Sequence, residues 1–273
     1  MNVRPGGQAL AKPMTIAIDG PAGAGKSSVT RTLAHRLGML HLDTGAMYRA
    51  ATVGALAAGV RIEDADAVAA WLHDRSIDFD HQGEVHIDGV AVPRDRLRSP
   101  ETTALIWRIA DNPRCRAHLV ATQQRIVTGR DAVVEGRDAT TVICPDAQLK
   151  VYLDASPEER ARRRLSEWRD LPDKPSFDDL VADIRRRDGR DMNRTVGALR
   201  LADDALHLVT DGLGLNEVIA RLMAHAVQRN PFLLEAVLRD QLRVGRSRQA
   251  GYVAVAEGDQ GPWKLGLTNP TPD

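Results

Sequence analysis

The sequence predicts an α/β fold in which a parallel sheet of about five strands carries helices on both faces. Three observations lead there. A short apolar strand runs into a glycine-rich loop and then a helix over residues 14–37. Short apolar runs alternate with stretches of helical periodicity along most of the chain, the pattern of successive βαβ units. Three turns, at Gly20, Asp43 and Gly136, each follow the end of such a run. In a parallel sheet those ends share one edge, which is where ligands bind.

Taken in order, Ile16 and Ile18 mark the first strand. Gly20-Pro21-Ala22-Gly23-Ala24-Gly25-Lys26-Ser27 then fits G-x-x-x-x-G-K-[ST] at every fixed position. The glycines let successive backbone N–H groups turn inward around a phosphate chain, and the helix start adds partial positive charge. In such a loop the lysine, Lys26, reaches the β- and γ-phosphates and the hydroxyl of Ser27 ligates Mg2+. A nucleoside triphosphate is therefore the expected ligand. Val29, Leu33, Ala34 and Leu37 continue at helical spacing, with Gly38 as a stop.

Met39–Leu42 is the second strand, closed by Asp43-Thr44-Gly45, and an Ala-rich helix follows to about Ala58. Asp64–His73 reads as a short helix. The texture then changes: Ile77 and Phe79, Val85 and Ile87, Val90 and Val92 alternate between turns at His81-Gln82-Gly83 and Asp88-Gly89. This is a small antiparallel meander inserted between helical stretches. Helical pattern returns after Pro100, and Asn112-Pro113 opens a helix running to about Val127. Asp131–Glu135 is a buried strand that ends in Gly136-Arg137-Asp138, and Leu149–Leu153 is another.

Ser156-Pro157-Glu158-Glu159 is a capping box on a helix with Arg160, Arg162, Arg163 and Arg164. A proline-broken stretch, Leu171 to Pro175, precedes a helix capped by Ser176 that carries Arg185, Arg186, Arg187, Arg190 and Arg194. Leu206–Val209 is the last sheet strand and Asn216–Ala226 the last core helix. Beyond it, Asn230-Pro231 opens a further helix with Leu233, Leu234, Val237, Leu238 and Leu242, and Gly245–Asp273 shows little periodicity. The expected organisation is a flexible leader (1–13), a main domain (14–228), and a C-terminal helix with a loose tail (229–273).

Composition narrows the function classes. Among 273 residues, Lys+Arg 37 balance Asp+Glu 37. Bulk charge thus argues for neither nucleic-acid nor membrane binding, and any basic site must be local. Hydrophobic residues make up 43%, enough for a substantial core. Cys115 and Cys144 form no C-x-x-C pair, and no run of transmembrane length or secretory type is seen, so a reduced, cytoplasmic setting is expected. The eight histidines show no metal-ligand spacing.

Four segments together, IAIDGPAGAGKS, LDTGAMYRA, EGRDATTVICPDA and RRRDGRDMNR, resemble bacterial cytidylate kinases in order and spacing from about Met14 to Ala226. The resemblance implies the P-loop nucleoside monophosphate kinase fold: a five-stranded parallel sheet, a monophosphate-binding insert at about 60–112 and a helical lid at about 156–194. It also implies transfer of the γ-phosphoryl of ATP to CMP or dCMP, with Mg2+. The donor would lie on Gly20, Pro21, Ala22, Gly23, Ala24, Gly25, Lys26, Ser27 and Ser28, under a lid bearing Arg160. Thr44, Arg49 and Arg137 would hold the acceptor phosphate. Arg116 and Asp138 would read the base and Asp191 the ribose, while Arg187 and Arg194 would reach the sugar or phosphates. Lys26, Arg137, Arg187 and Arg194 are then the expected catalytic set. Small nucleotides are the expected partners of a monomer.

The chain departs from that pattern at several points. The family's base-contacting hydroxyl falls, by spacing from Pro113, on Trp107. Thr140 stands where a glycine is usual, and Gly197-Ala198-Leu199 replaces Ala-Pro-Leu. Two other readings are therefore carried: a paralogue that phosphorylates a modified pyrimidine nucleotide or another phosphomonoester, and a nucleotide-binding regulator without turnover. The arginines from Arg160 to Arg164 also read as a solvated helix face paired with Glu158, Glu159 and Glu167.

Overall fold

In the computed structural model, residues 13–80, 83–169, 174–234 and 236–238 are described, together with the backbone of 252–255 and 264–267. In chain order the main elements are β1 (Thr15–Asp19), α1 (Lys26–Leu37), β2 (Leu40–Asp43), α2 (Thr44–Ala57), α3 (Ala65–His73), β3 (Ile77–Phe79), β4 (Val85–Ile87), β5 (Val90–Ala91), α4 (Arg94–Leu97), α5 (Pro100–Ala110) and α6 (Pro113–Val127). Then come β6 (Ala132–Glu135), β7 (Leu149–Asp154), α7 (Pro157–Glu167), α8 (Phe177–Met192), β8 (Leu206–Val209) and α9 (Leu215–Arg229).

The main sheet has five parallel strands in the order β2-β6-β1-β7-β8. Its strands are short and apolar on both sides because helices cover both faces. Side-chain alternation separates two cores. Ile16, Ile18 and Val133 face a layer that includes Val29, Leu33, Ile219 and Leu222, from α1 and α9. Ala17, Ala132 and Val134 face the other layer, with Met47, Ala51 and Leu119 from α2 and α6. The parallel order brings the carboxyl ends of β1, β2 and β6 side by side, so the loops at Gly20, Asp43 and Gly136 meet as expected.

The predicted meander is present: β3, β4 and β5 form a three-stranded antiparallel sheet beside α2. Its second hairpin turns at Asp88-Gly89, with φ of 50° and 79°, as a two-residue loop of this type requires. The His81-Gln82 part of the first turn lies outside the described residues, as do the leader to residue 12 and most of the Leu171–Pro175 break. Asn112 caps α6 by accepting from the Arg114 and Cys115 amides, with Pro113 at the first helical position. Ser156 caps α7 by accepting from the Glu159 amide. The expected reciprocal half of that capping box is replaced, since the Ser156 amide donates to Asp211 and Glu159 pairs with Arg162 and Arg163.

The C-terminal part differs from expectation in two ways. After Asn230 the chain makes a 3-10 turn, Pro231–Leu233, before helical residues resume at Leu234. Val237 is buried, and Leu233 and Leu234 pack beside it on the α1/α9 core, so the apolar stripe closes the domain. Further on, Tyr252–Val255 and Lys264–Leu267 form β9 and β10, an antiparallel pair. These two short runs are rich in strand-forming residues. No helix among the described residues is long and apolar enough to cross a membrane.

Candidate active site

The glycine loop wraps tightly because side chains are excluded from it. At Gly20, with φ of 152°, a Cβ would lie 2.0 Å from the Leu153 carbonyl oxygen. Lys26 opens α1, and its Nζ donates to the carbonyls of Gly20 at 2.7 Å and Pro21 at 2.8 Å. Burial, reinforced by the cation of Arg137, pulls its pKa down to about 7. Beneath the loop, Asp19 accepts from the Ala139 and Thr140 amides, each at 2.8 Å, and from the Thr140 hydroxyl at 2.6 Å. Thr140, where glycine was expected, thus braces the end of β1. Burial raises the Asp19 carboxyl despite these donors.

Beside Lys26 lies a group of oxygen donors. The Ser27 hydroxyl donates to Glu135 Oε2 at 2.9 Å, and Thr30 donates to Oε1 at 3.1 Å. His41 Nε2 is 3.1 Å from the same Oε1. Burial pushes the Glu135 carboxyl up, but its bonds to His41 and Ser27 and the charge of Lys26 outweigh burial and hold it below the ordinary range. A serine hydroxyl next to an ionised carboxylate is a hard oxygen set, and Mg2+ takes few protein ligands when phosphates supply the rest. Ser27 therefore fits Mg2+, with Glu135 as a second group that was not singled out from the sequence. The available signal was a carboxylate closing a fully buried run, Ala132-Val133-Val134.

Across the sheet edge the cations concentrate. Arg49, on α2, donates to the Leu97 carbonyl at 3.1 Å and to Thr103 Oγ1 at 3.2 Å. Burial lowers its pKa, and the like charges of Arg98, Arg187 and Arg137 add to that. Arg187 is lowered in the same way, first by burial and then by Arg164 and Arg137. Cations that repel one another in a partly buried cleft mark a place for an anion. Arg137 Nε donates to Asp191 at 2.8 Å, and Arg194 bridges Asp191 at 3.1 Å and Asp111 at 3.0 Å. Burial raises the Asp191 carboxyl, but Arg137 and Arg194 outweigh it and hold it low. Thr44, at the start of α2, gives its hydroxyl proton to the Glu135 carbonyl at 2.6 Å.

At the far end of the cleft Arg116 and Asp138 form a buried, hydrogen-bonded ion pair. Arg116 also donates to the Ala110 carbonyl at 3.1 Å and lies 5.6 Å from the centre of the Tyr48 ring. Burial raises the Asp138 carboxyl although Arg116 opposes it. Gly197 roofs the pair. Its φ is 64°, and a Cβ there would lie 1.8 Å from an Arg116 nitrogen and 2.6 Å from an Asp138 oxygen. The departure at Gly197 is thus a requirement of this packing.

The lid arginines divide between surface and interior: Arg162 is exposed and pairs with Glu159. Arg160 is buried rather than solvated, and its guanidinium is occupied. It grips Asp188 with two bonds, at 2.9 and 2.6 Å, and donates to the carbonyls of Ala155 and Ala22. Arg163 likewise binds Glu159 and the Thr210 carbonyl. These arginines tie α7 to α8 and to the loop backbone. The structure therefore brings Lys26, Ser27, Thr44, Arg49, Arg137, Asp138, Arg116, Arg187, Asp191 and Arg194 to one sheet edge. It adds Glu135, Arg98 and Asp19. Trp107 stands on α5, 44% exposed, with the Arg108 guanidinium 4.0 Å above its ring.

Comparison with known proteins agrees with this geometry. The family model described as cytidylate kinase matches residues 16–228. A cytidylate kinase of Rhodopirellula baltica is 42% identical over 218 residues, 79% of this chain and 94% of that protein. One of Rhodococcus opacus is 44% identical over 230 residues, 80% of this chain and 96% of that one. One of Carboxydothermus hydrogenoformans is 37% identical over 222 residues, 81% of this chain and all of that one. The chain belongs to the cytidylate kinase family and is a phosphotransferase built on the phosphate-binding loop.

Proposed function

We propose that this protein transfers the γ-phosphoryl group of ATP to the 5′-phosphate of CMP or dCMP, giving ADP and the corresponding diphosphate. The observation that carries this reading is the meeting of two phosphate-binding devices at one sheet edge: the loop with Lys26 and Ser27, and the arginine cluster around Arg137. Phosphoryl transfer needs alignment and charge neutralisation more than a dedicated base, because the acceptor phosphate is already a nucleophile. An acceptor oxygen bonds to the γ-phosphorus as the bond to the β–γ bridging oxygen breaks.

On this reading Gly20–Ser28 cradle the donor and Lys26 sits against its β- and γ-phosphates. A phosphate chain in the loop raises the Lys26 pKa and so restores the full charge that burial opposes. Ser27, with Glu135 beside it, would hold Mg2+, which supplies charge neutralisation on the donor phosphates when bound. Arg49, Arg98 and Arg137 clamp the acceptor phosphate with Thr44 at the α2 N-terminus, and Arg187 and Arg194 complete the cationic wall. Asp191 orients Arg137 and Arg194 and faces the ribose; Arg116 and Asp138 face the base. Residues 60–112 act as the monophosphate-binding insert and 156–194 as the lid. Arg160 serves that lid through Asp188 and the Ala22 carbonyl, holding loop and lid in register.

Two buried free thiols, Cys115 and Cys144, with pKa values pushed up by burial to about 11 and about 12, support a reducing, cytoplasmic setting. A monomer with nucleotides as its ligands is the simplest working form. The test is a panel of nucleoside monophosphates incubated with ATP and Mg2+. ADP and CDP formed in equal amounts from CMP is the expected result. Turnover confined to a modified pyrimidine nucleotide would favour the paralogue reading, and none with any acceptor would favour a regulator.

A further inference from the structure

Trp107 lies on the α5 surface between two groups of the cationic cleft. Four residues before it, Thr103 accepts from Arg49; four residues after it, Asp111 pairs with Arg194. Positions three or four apart share a helix face, so Thr103, Trp107 and Asp111 form one stripe, and that stripe walls the cleft from the Arg49 end to the Arg194 end. The indole on this stripe is 44% exposed, so part of its ring surface is open to a ligand in the cleft. One of its faces is covered by the Arg108 guanidinium at 4.0 Å, and the Nε of Arg108 is buried with no hydrogen-bond partner among the described residues. The guanidinium lies against the ring, and no ion pair of Arg108 is found among the described residues.

We infer that Trp107, backed by Arg108, is the stacking platform for the planar base of the acceptor nucleotide. This rests on the reading of the cleft as the acceptor site. A cation held on one face orients the indole and leaves the other face to a heterocycle, an arrangement that binds through π-surface. Stacking acts on every base, whereas a hydrogen-bond donor or acceptor reads only one pattern. Trp107 thus supplies affinity that does not depend on which base is present, and the buried Arg116–Asp138 pair alone supplies the choice among bases. The acceptor class is a nucleoside monophosphate bound by stacking, with relaxed discrimination between cytosine and uracil.

Two measurements on the full chain test this. Steady-state constants for CMP, dCMP and UMP are compared in the native protein, Trp107→Ala and Trp107→Phe. Trp107→Ala is expected to raise KM about 10-fold by the same factor for all three acceptors, within about two-fold, at little cost in kcat, and Trp107→Phe to restore most of it. Separately, titration of native protein with CMP is expected to quench indole fluorescence, and Trp107→Phe to abolish that quench. A KM unchanged in Trp107→Ala, a loss confined to one base, or a quench that persists in Trp107→Phe would overturn the inference. Failure of the underlying reaction is distinguishable: it shows as no diphosphate from any acceptor, while the fluorescence titration still decides whether a base stacks on Trp107.

Discussion

The donor loop and the acceptor cleft both hold phosphate, yet they are built in opposite ways. The loop is one contiguous stretch, Gly20–Ser28, in which backbone geometry does most of the work and a single buried cation is braced by its own carbonyls. The cleft draws Arg49, Arg98, Arg137, Arg187 and Arg194 from α2, the end of α4, the turn after β6 and the end of α8. Asp43 and Asp191 offset their mutual repulsion only in part. A cradle of amides grips any phosphate chain in much the same way. Separate cations from separate elements fix where a second phosphate can lie, and only in the folded state. The first device is local and general, the second distributed and specific.

The sharpest way to break this division is to remove the loop cation. Lys26→Met is expected to lower kcat about 1,000-fold or more, as loss of a transition-state charge partner does, without lowering thermal stability. Native Lys26 is held near a pKa of about 7, against 10.5 in the unfolded chain. Between those values the unfolded chain binds more protons, so this group makes the protein more stable as pH rises through that window. Melting curves from pH 7 to 10 should show that rise in the native protein and a smaller one in Lys26→Met.

The next effect concerns what joins the two devices. Arg160 is buried on Asp188 and reaches the Ala22 carbonyl, so Arg160→Ala leaves a carboxylate without its partner. A stability loss of about 3 kcal/mol is expected, or a fall in Tm of about 6–12 °C. Arg187→Ala, which removes a cation without an ion pair among the described residues, should leave Tm nearly unchanged and raise the acceptor KM. Equal melting temperatures for the two variants would show that Arg160 is no tie.

A smaller effect is expected at the C-terminus, far from both devices. Truncation at Asn230 uncovers the surface under Leu233, Leu234 and Val237 and should cost about 2 kcal/mol, with kcat per folded molecule retained. Truncation after Gly245 should leave the melting temperature and activity nearly as they are. A change confined to acceptor binding is Arg98→Ala at the cleft rim, expected to raise the acceptor KM about 10-fold with kcat and the ATP KM held. An unchanged KM would return Arg98 to the general surface.

The same contrast explains how much could be read from the sequence. The five sheet strands, the meander and the helix caps at Asn112, Ser156 and Ser176 are local patterns, and they stand where periodicity and capping residues placed them. The donor loop was readable for the same reason. For the cleft residues, local signals went no further than Arg49's place after a strand-end turn and the crowding of cations from Arg187 to Arg194; their separate roles came only through resemblance of whole segments. Arg98 and Glu135 went unnoticed on that account: the groups they act on, the like charge of Arg49 and the hydroxyl of Ser27, are far away in the chain. The burial of Arg160 was not legible because a run of arginines near glutamates also reads as a solvated face until Asp188, 28 residues on, folds against it.

The most direct test of the division is a crossed binding measurement by calorimetry, with CMP and a non-hydrolysable ATP analogue each titrated into Lys26→Met and Arg137→Ala. Arg137→Ala is expected to lose CMP affinity at least about 10-fold while keeping the ATP analogue within about three-fold, and Lys26→Met to show the reverse. If Arg137→Ala instead lost the ATP analogue and kept CMP, the assignment of loop to donor and arginine cluster to acceptor would be contradicted.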